Sequence, residues 1–260
     1  MPIQVSSLAE RDIPGAVAAI QEAFADDPYN NWVFDKTKWD SLLSRVSPPW
    51  LGYSDPFQID DMYCFKHSHE LAYQIFDVQR NAVSLGIRCR WGMRNGIFHV
   101  AKEEGSDEVL GVACWLRPQQ VDQPPTWYDW LEDWRLWFNQ VGMNLWYGRG
   151  GLNVKRYWIW KAAQSKAQSA VWTEPRGYYF LNIMVVLPKA QARGIGRLMM
   201  EAVTDKADAE KMKCYLESSR DVPNMQIYER FGFKFAKELE CDDDGTAIKL
   251  FTMVREPKTN

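Results

Sequence analysis

The feature that most constrains this chain is a glycine-containing loop that joins an apolar strand pattern to an amphipathic helix pattern. Residues 191–196 read QARGIG, after an apolar run over 178–187 and before a helical repeat over 195–211. Gly194 and Gly196 allow positive φ and close backbone approach, and a helix N-terminus presents free N–H groups and partial positive charge. Spacing alone fits phosphate binding and a tight strand-to-helix turn equally well.

The loop fits neither of two common nucleotide-binding motifs. A P-loop ends in Gly-Lys-Ser/Thr, and the dinucleotide fingerprint needs three spaced glycines in a parallel βαβ unit. Neither pattern surrounds Gly194. The class of ligand must therefore be inferred from the flanking segments.

Composition and charge bound the class of protein. The chain has 260 residues, of which 46% are hydrophobic, enough for a substantial core. Its 31 basic and 34 acidic residues are interspersed, with a net charge of −3, so no surface for nucleic acid or an anionic membrane is predicted. A small or cationic acceptor fits better. The longest apolar run, residues 183–187, is far shorter than the roughly 20 residues that span a bilayer.

The cysteines predict no metal site. All five lack CxxC spacing and a companion histidine at ligand spacing. The sequence shows no secretory apolar segment and has Pro2, without the glycine that myristoylation needs. We therefore expect a cytoplasmic protein with free thiols.

The predicted elements open with a strand at 3–5 and a helix from Asp12, and a longer helix over 68–90 is expected to end at Gly86. Strands at 97–102 and 109–117 form a hairpin. After the glycine loop and its helix come a strand at 214–217, a helix at 224–230 and a closing hairpin. No internal repeat is visible, and residues 1–260 are interpreted as a single domain.

Residues 118–176 are predicted to be a helical insertion within that domain. Nine of the 13 tryptophans lie between Trp115 and Trp172. Four recur at helical spacing: Trp127, Trp130, Trp134 and Trp137. Three interpretations stay open: core packing, which is the commonest role of such residues; an aromatic pocket for an amine, with Asp129, Glu132 and Asp133 attracting its cation; and a lid or dimer contact.

Strand and loop together resemble the signature of the GNAT superfamily, Leu-x-x-Leu-x-Val-x-Pro followed by Gln/Arg-x-x-Gly-x-Gly/Ala. The matching positions are Leu181, Met184, Val186, Pro188, Gln191, Gly194 and Gly196. Residues 216–219, followed by Asn224, Tyr228 and the FGF sequence at 231–233, resemble the family's second cofactor segment. The resemblance implies an α/β fold, with a mixed, mostly antiparallel central sheet flanked by helices.

The resemblance also implies acetyl-CoA as the acyl donor, bound without a metal. Backbone groups of the strand would hold the pantetheine arm, and amides of the loop would hold the pyrophosphate. The residues so implied are Met184, Val185, Val186, Gln191, Ala192, Arg193, Gly194, Ile195, Gly196, Arg197 and Asn224.

Direct transfer needs few side chains: an amine attacks, backbone donors stabilise the oxyanion, and the departing thiolate needs a proton. Tyr228 is the predicted acid. The general base stays open between Glu217, Asp26, Asp27 and water. The predicted function is acetyl transfer to the amine of a small molecule; the alternatives are a protein lysine or N-terminal acetyltransferase and a non-catalytic acyl-CoA-binding module.

Overall fold

A seven-stranded sheet forms the centre of the protein in this computed structural model, which describes residues 2–34, 79–120, 124, 126–148 and 150–258. The strands are β1 (Ile3–Ser7), β2 (Gly96–Glu103), β3 (Gly111–Leu116), β4 (Tyr178–Val186), β5 (Lys213–Ser218), β6 (Lys234–Asp243) and β7 (Thr246–Arg255). Their order in the sheet is β1-β2-β3-β4-β5-β7-β6. Only β4 and β5 run parallel. The predicted mixed, mostly antiparallel sheet is confirmed.

Seven α-helices belong to the described residues. They are α1 (Ile13–Ala23), α2 (Pro28–Val33), α3 (described over 79–95), α4 (Trp127–Tyr147), α5 (Val154–Val171), α6 (Ile195–Ala209) and α7 (Asn224–Glu229). The two longest, α4 and α5, lie within the segment predicted to be a helical insertion. The start of the helix predicted from residue 68 lies outside the described residues.

Helices cover both faces of the sheet. A Cβ added to Gly111 would meet Met199 and Ile195 of α6, whereas one added to Gly92 of α3 would meet Phe98 and Cys114. Because alternate strand residues point to opposite faces, α6 and α3 lie on opposite sides of β3. This burial on both faces explains why residues 111–115 are all buried and read as a continuous apolar run.

Gly86 does not end α3. The helix continues to residue 95 with Gly86 buried inside it, so that prediction was wrong. An interior glycine costs a helix about 1 kcal/mol, and α3 offsets this cost by packing its Gly86 face near Ile13 of α1. The strand predicted to begin at Val109 begins at Gly111 instead.

The tryptophans of α4 do not belong to the core, contrary to the commonest role of such residues. Trp127 is 74% exposed, and Trp130, Trp134 and Trp137 are 47%, 41% and 54% exposed. The side of α4 that packs inward carries Glu132 and Met143. The helical period was therefore identified correctly, but the outward direction of its aromatic face was not.

Candidate active site

A cleft opens in the sheet between β4 and β5. The two strands pair only over Tyr178–Leu181 and Lys213–Leu216. Beyond that point Glu217 and Ser218 pair with β7, and residues 183–186 pair only with β3. A parallel pair that ends halfway leaves one edge of β4 with unpaired backbone groups in the middle of a sheet. We call this opening the β4–β5 cleft.

A β-bulge accompanies the divergence of the strands. Cys114 lies opposite Ile183 while Trp115 lies opposite Leu181, so Asn182 is the extra residue of β4. A bulge bends its strand and increases the local twist. The bend therefore falls where β4 stops pairing with β5, and it directs the end of β4 away from its neighbour.

The glycine-containing loop follows β4 directly and delivers the chain to the N-terminus of α6. Ala192 and Gly194 have φ of 60° and 78°, and Gly194 is the N-cap residue with no side-chain capping bond. The first amides of a helix have no intrahelical acceptor. A Cβ built on Gly194 would meet no atom within 4 Å, so the space beside these donors is open.

The strand and the loop form one continuous surface. A Cβ on Gly196 would lie 3.8 Å from Val186 Cγ2 and 3.9 Å from Met184 Cε. Gln191 donates from Nε2 to the carbonyl oxygen of Val186 at 3.4 Å. Of the predicted strand residues, Val185 is buried, whereas Met184 and Val186 are only half-buried.

The arginine of the loop and the first arginine of α6 are already paired. Arg193 donates to Glu103, and Arg197 donates to Glu201 Oε1 at 2.7 Å. The hydrogen bond from Arg193 holds the pKa of Glu103 below its usual range. The positive character facing an anion at this loop therefore comes chiefly from the backbone amides of residues 195–197 and the helix dipole.

Asn224 and Tyr228 lie one turn apart on α7. The Asn224 side chain donates from Nδ2 to Ser218 Oγ at 3.3 Å, which links α7 to the end of β5. Tyr228 is half-buried, with its ring edge-on to Phe233 at 6.1 Å. Its hydroxyl has no hydrogen-bond partner within the described part of the chain, and burial raises the pKa of Tyr228 to about 12.

Glu217 is held by three donors. Gln164 Nε2 and Tyr215 Oη each lie 2.8 Å from its carboxylate, and Gln168 Nε2 lies 3.3 Å away. Burial nevertheless raises the pKa of Glu217. Because two of these donors belong to α5, Glu217 points to the α5 face of the sheet.

Of the other two predicted bases, the Asp27 carboxylate has a structural role, whereas Asp26 takes part only through its backbone carbonyl. Asp27 caps α2, accepting from the Asn30 amide at 3.0 Å, and it also accepts from Ser219 Oγ. Arg220 Nη2 donates to the carbonyl oxygen of Asp26 at 2.6 Å. We call this set of contacts between the α1–α2 loop and the β5–α7 loop the loop bridge. Sequence reasoning missed it, because no local signal joins residues almost 200 positions apart.

Metal and membrane features are absent from the described ranges. No group of three His, Cys, Asp or Glu side chains there could hold a metal ion. The helices of the same ranges include none with the length and apolarity to cross a membrane.

Comparison with known proteins adds independent information. Residues 154–235 match the family model for an acetyltransferase (GNAT) domain. An uncharacterized N-acetyltransferase of Schizosaccharomyces pombe is 27% identical over 155 residues, which make up 58% of this chain and 58% of that protein. The alignment thus spans less than two thirds of that relative.

Solved structures share the fold. One is described as histone acetyltransferase HPA2 and related acetyltransferase, from Corynebacterium glutamicum. It is 19% identical with a TM-score of 0.51, and the match covers 100% of this chain and 99% of that chain. Another is a polyamine N-acetyltransferase of Drosophila melanogaster, which is 13% identical with a TM-score of 0.52. The match covers 98% of this chain and 100% of that chain. The family model therefore identifies residues 154–235 as similar to a GNAT acetyltransferase domain, and the solved structures show that the chain has the fold of such acetyltransferases.

Proposed function

We propose that this protein transfers the acetyl group of acetyl-CoA to the amine of a small molecule. The observation that carries the proposal is the β4–β5 cleft, which opens beside the N-terminus of α6, where the first amides have no intrahelical acceptor. An extended edge with free backbone groups, continuous with an anion-binding helix end, suits a donor with an amide-containing arm and a pyrophosphate.

The chain's own groups divide the work of binding along this surface. Amides of residues 193–197 hold the pyrophosphate, and Gly194 and Ala192 supply the positive φ that turns these amides outward. Backbone groups of Met184, Val185 and Val186 pair with the pantetheine arm. Asn224, now bonded to Ser218, orients the arm from the α7 side.

Transfer requires few further groups. A neutral amine attacks the thioester carbon, a C–N bond forms and the C–S bond breaks. Tyr228 donates its proton to the departing sulfur and regains one from the nitrogen, so the proton lost by the amine ends on the thiol. A pKa of about 12 keeps the phenol protonated beforehand and makes its phenolate a competent base afterwards.

The acceptor side of the cleft supports a small amine. The loop bridge holds the α1–α2 loop against the β5–α7 loop through Asp27, Ser219 and Arg220, and we infer that this constraint disfavours an extended peptide. Both acceptor classes occur among proteins of this fold, as the polyamine and histone enzymes above illustrate. We do not assign Glu217 as the base, because its carboxylate already accepts three hydrogen bonds; water is the proposed carrier of the amine's proton to the Tyr228 phenolate.

The cofactor proposal is tested by calorimetric titration of acetyl-CoA into the parent and two variants, Gly194→Asp and Gly194→Asn. Asp and Asn have the same size and both tolerate a left-handed backbone, and an added side chain meets open space here. We expect micromolar binding by the parent, a modest loss in Gly194→Asn and a loss at least about tenfold larger in Gly194→Asp, decreasing with added salt. Absence of binding by the folded parent would overturn the proposal.

Catalysis is tested by release of the free thiol of CoA in the presence of diamines, polyamines or lysine-containing peptides. Turnover with small amines alone supports the proposed acceptor class. Turnover with peptides alone would reassign the protein as a protein acetyltransferase, and tight binding without turnover would indicate a non-catalytic acyl-CoA-binding module.

A further inference from the structure

An aromatic face runs along the outside of α4. Its members recur every three or four residues: Trp127, Trp130, Leu131, Trp134, Trp137, Phe138, Val141 and Leu145. At 100° per residue they form one stripe, opposite the side where Glu132 and Met143 are buried. We call this stripe the α4 face.

The side chains of the α4 face are exposed to solvent and also packed against one another. Neighbouring rings touch in sequence, with centroids of Trp130 and Trp134 5.8 Å apart and those of Trp134 and Phe138 5.5 Å apart. Phe138 and Leu145 are 60% and 83% exposed. Rings already held against one another lose little freedom when a partner covers them.

The exposed area is large for a protein alone in water. The exposed fractions of Trp127, Trp130, Leu131, Trp134, Trp137 and Phe138 together correspond to roughly 500–800 Å² if a full side chain offers about 150–250 Å². That range lies at and above the upper part of the about 300–600 Å² of the largest patch on a typical monomer. Its upper end matches the about 800 Å² that each partner contributes to a standard stable interface.

The sequence of the α4 face suits another helix of the same kind. Residues 127, 134 and 141 repeat at seven-residue intervals, with 130 and 137 between them, which is the pattern of a helix that packs along a second helix. A two-fold interface needs only one self-complementary patch. Trp134, Trp137 and Phe138 lie near the middle of α4, where a two-fold axis brings the same residues of two copies together.

The charges beside the face disfavour a membrane as its partner. Interfacial helices carry lysine and arginine beside their apolar face, whereas α4 has Asp133 there and Asp129 nearer its buried side. Its single basic residue is Arg135, which lies 3.6 Å from Glu132. A surface of anionic lipid would repel this helix more than attract it.

We propose that the α4 face is the interface between two copies of this chain. The proposal is independent of the catalytic one, because no residue of the β4–β5 cleft belongs to α4. It also selects the dimer contact among the roles that the sequence left open for this segment.

The test is sedimentation of the full chain over a concentration series, with the double variant Trp134→Glu/Phe138→Glu and the control Trp158→Glu. Trp158 is 64% exposed on α5 and matches the chemical change off the face. We expect a dimer at micromolar concentration for the parent and the control, and dimerisation weakened by about a hundredfold or more in the double variant. Circular dichroism checks that each variant is folded.

Hydrogen exchange of the parent supplies a test that needs no variant. Residues 127–147 should gain protection as concentration rises through the dimer transition. A parent that stays monomeric throughout would overturn the proposal, as would monomer binding to lipid vesicles through these residues. A dimer unaffected by the double substitution would place the interface elsewhere and overturn it too.

Discussion

At the scale of single residues, Tyr228 offers a clean separation of chemistry from binding. Its hydroxyl has no partner among the described residues, so Tyr228→Phe removes one oxygen and breaks no bond seen in this structure. We predict that kcat falls by about a hundredfold, within the usual range for loss of an acid catalyst, while acetyl-CoA affinity stays unchanged. Thiol-release kinetics and calorimetry measure the two quantities.

The control for this variant is Tyr128→Phe, the same chemical change on a tyrosine that is 51% exposed. It should leave kcat unaltered. Full activity of Tyr228→Phe would show that this residue has no part in the mechanism and that water supplies the proton to the departing thiolate.

A second prediction concerns the buried ion pair of Asp208 and Arg255. Arg255 is 2% exposed, and its two terminal nitrogens lie 2.7 and 2.6 Å from the Asp208 oxygens. Asp208→Asn leaves a buried guanidinium without its counter-charge, so we expect a loss of about 3 kcal/mol in the free energy of unfolding. Urea denaturation measures this loss, and Asp205→Asn, exposed on the same helix, should change it by no more than about 0.5 kcal/mol.

The pH dependence of this pair has a definite sign. The hydrogen bonds from Arg255 lower the pKa of Asp208 below 3.8. A carboxyl with a depressed folded-state pKa stabilises the fold above its unfolded-state pKa and loses that contribution as pH falls through the folded-state pKa. The stability gap between the parent and Asp208→Asn should therefore be constant near neutral pH and shrink below about pH 4; a gap that grows on acidification would contradict this assignment.

At the scale of elements, α3 contains two glycines with opposite expected responses. A Cβ on Gly86 would meet Arg90 Nη1 at 3.7 Å and Ile13 Cγ2 at 3.9 Å, which are ordinary contacts, whereas one on Gly92 would lie 2.8 Å from Phe98 Cδ1. We predict that Gly86→Ala stabilises by about 0.5–1 kcal/mol through helix propensity. Gly92→Ala should destabilise by about 1–3 kcal/mol through overpacking. Equal effects in urea denaturation would show that the packing of α3 differs from this structure.

Sequence analysis recovered the elements whose signals are local. The loop and helix after β4 were placed by Gly194, Gly196 and the apolar repeat that follows them. It failed where the outcome depends on distant packing. Gly86 was predicted to end its helix because the packing of α1 against α3 has no local sequence signal. A tryptophan repeat predicts a helix but not which side of that helix faces the solvent. The loop bridge between Asp27 and Ser219 had no sequence signal for the same reason.

At the scale of the whole molecule, the site is a consequence of sheet topology. The family signature proposes residues for the site, whereas the end of β4–β5 pairing at Leu181 and the bulge at Asn182 appear only in the three-dimensional structure. The two ends of α6 consequently serve separate purposes. Its N-terminus faces the β4–β5 cleft, while its C-terminal turn is anchored to β7 through Asp208 and Arg255.

This separation predicts additive behaviour in thermal unfolding. Acetyl-CoA at about a hundred times its Kd should stabilise the folded state by about 2.7 kcal/mol, a rise in Tm of roughly 5–10 °C for a chain of this size. Asp208 lies roughly 20 Å along α6 from Gly194, beyond the range in which substitutions usually couple. Asp208→Asn should therefore lower the Tm measured without ligand, but acetyl-CoA should still raise its Tm by the full amount. Gly194→Asp should have the Tm of the parent without ligand, and acetyl-CoA should raise it much less. If acetyl-CoA fails to raise the Tm of Asp208→Asn, the contact between the C-terminal turn of α6 and β7 also determines the geometry of the amides at its N-terminus. The two ends of α6 would then be coupled.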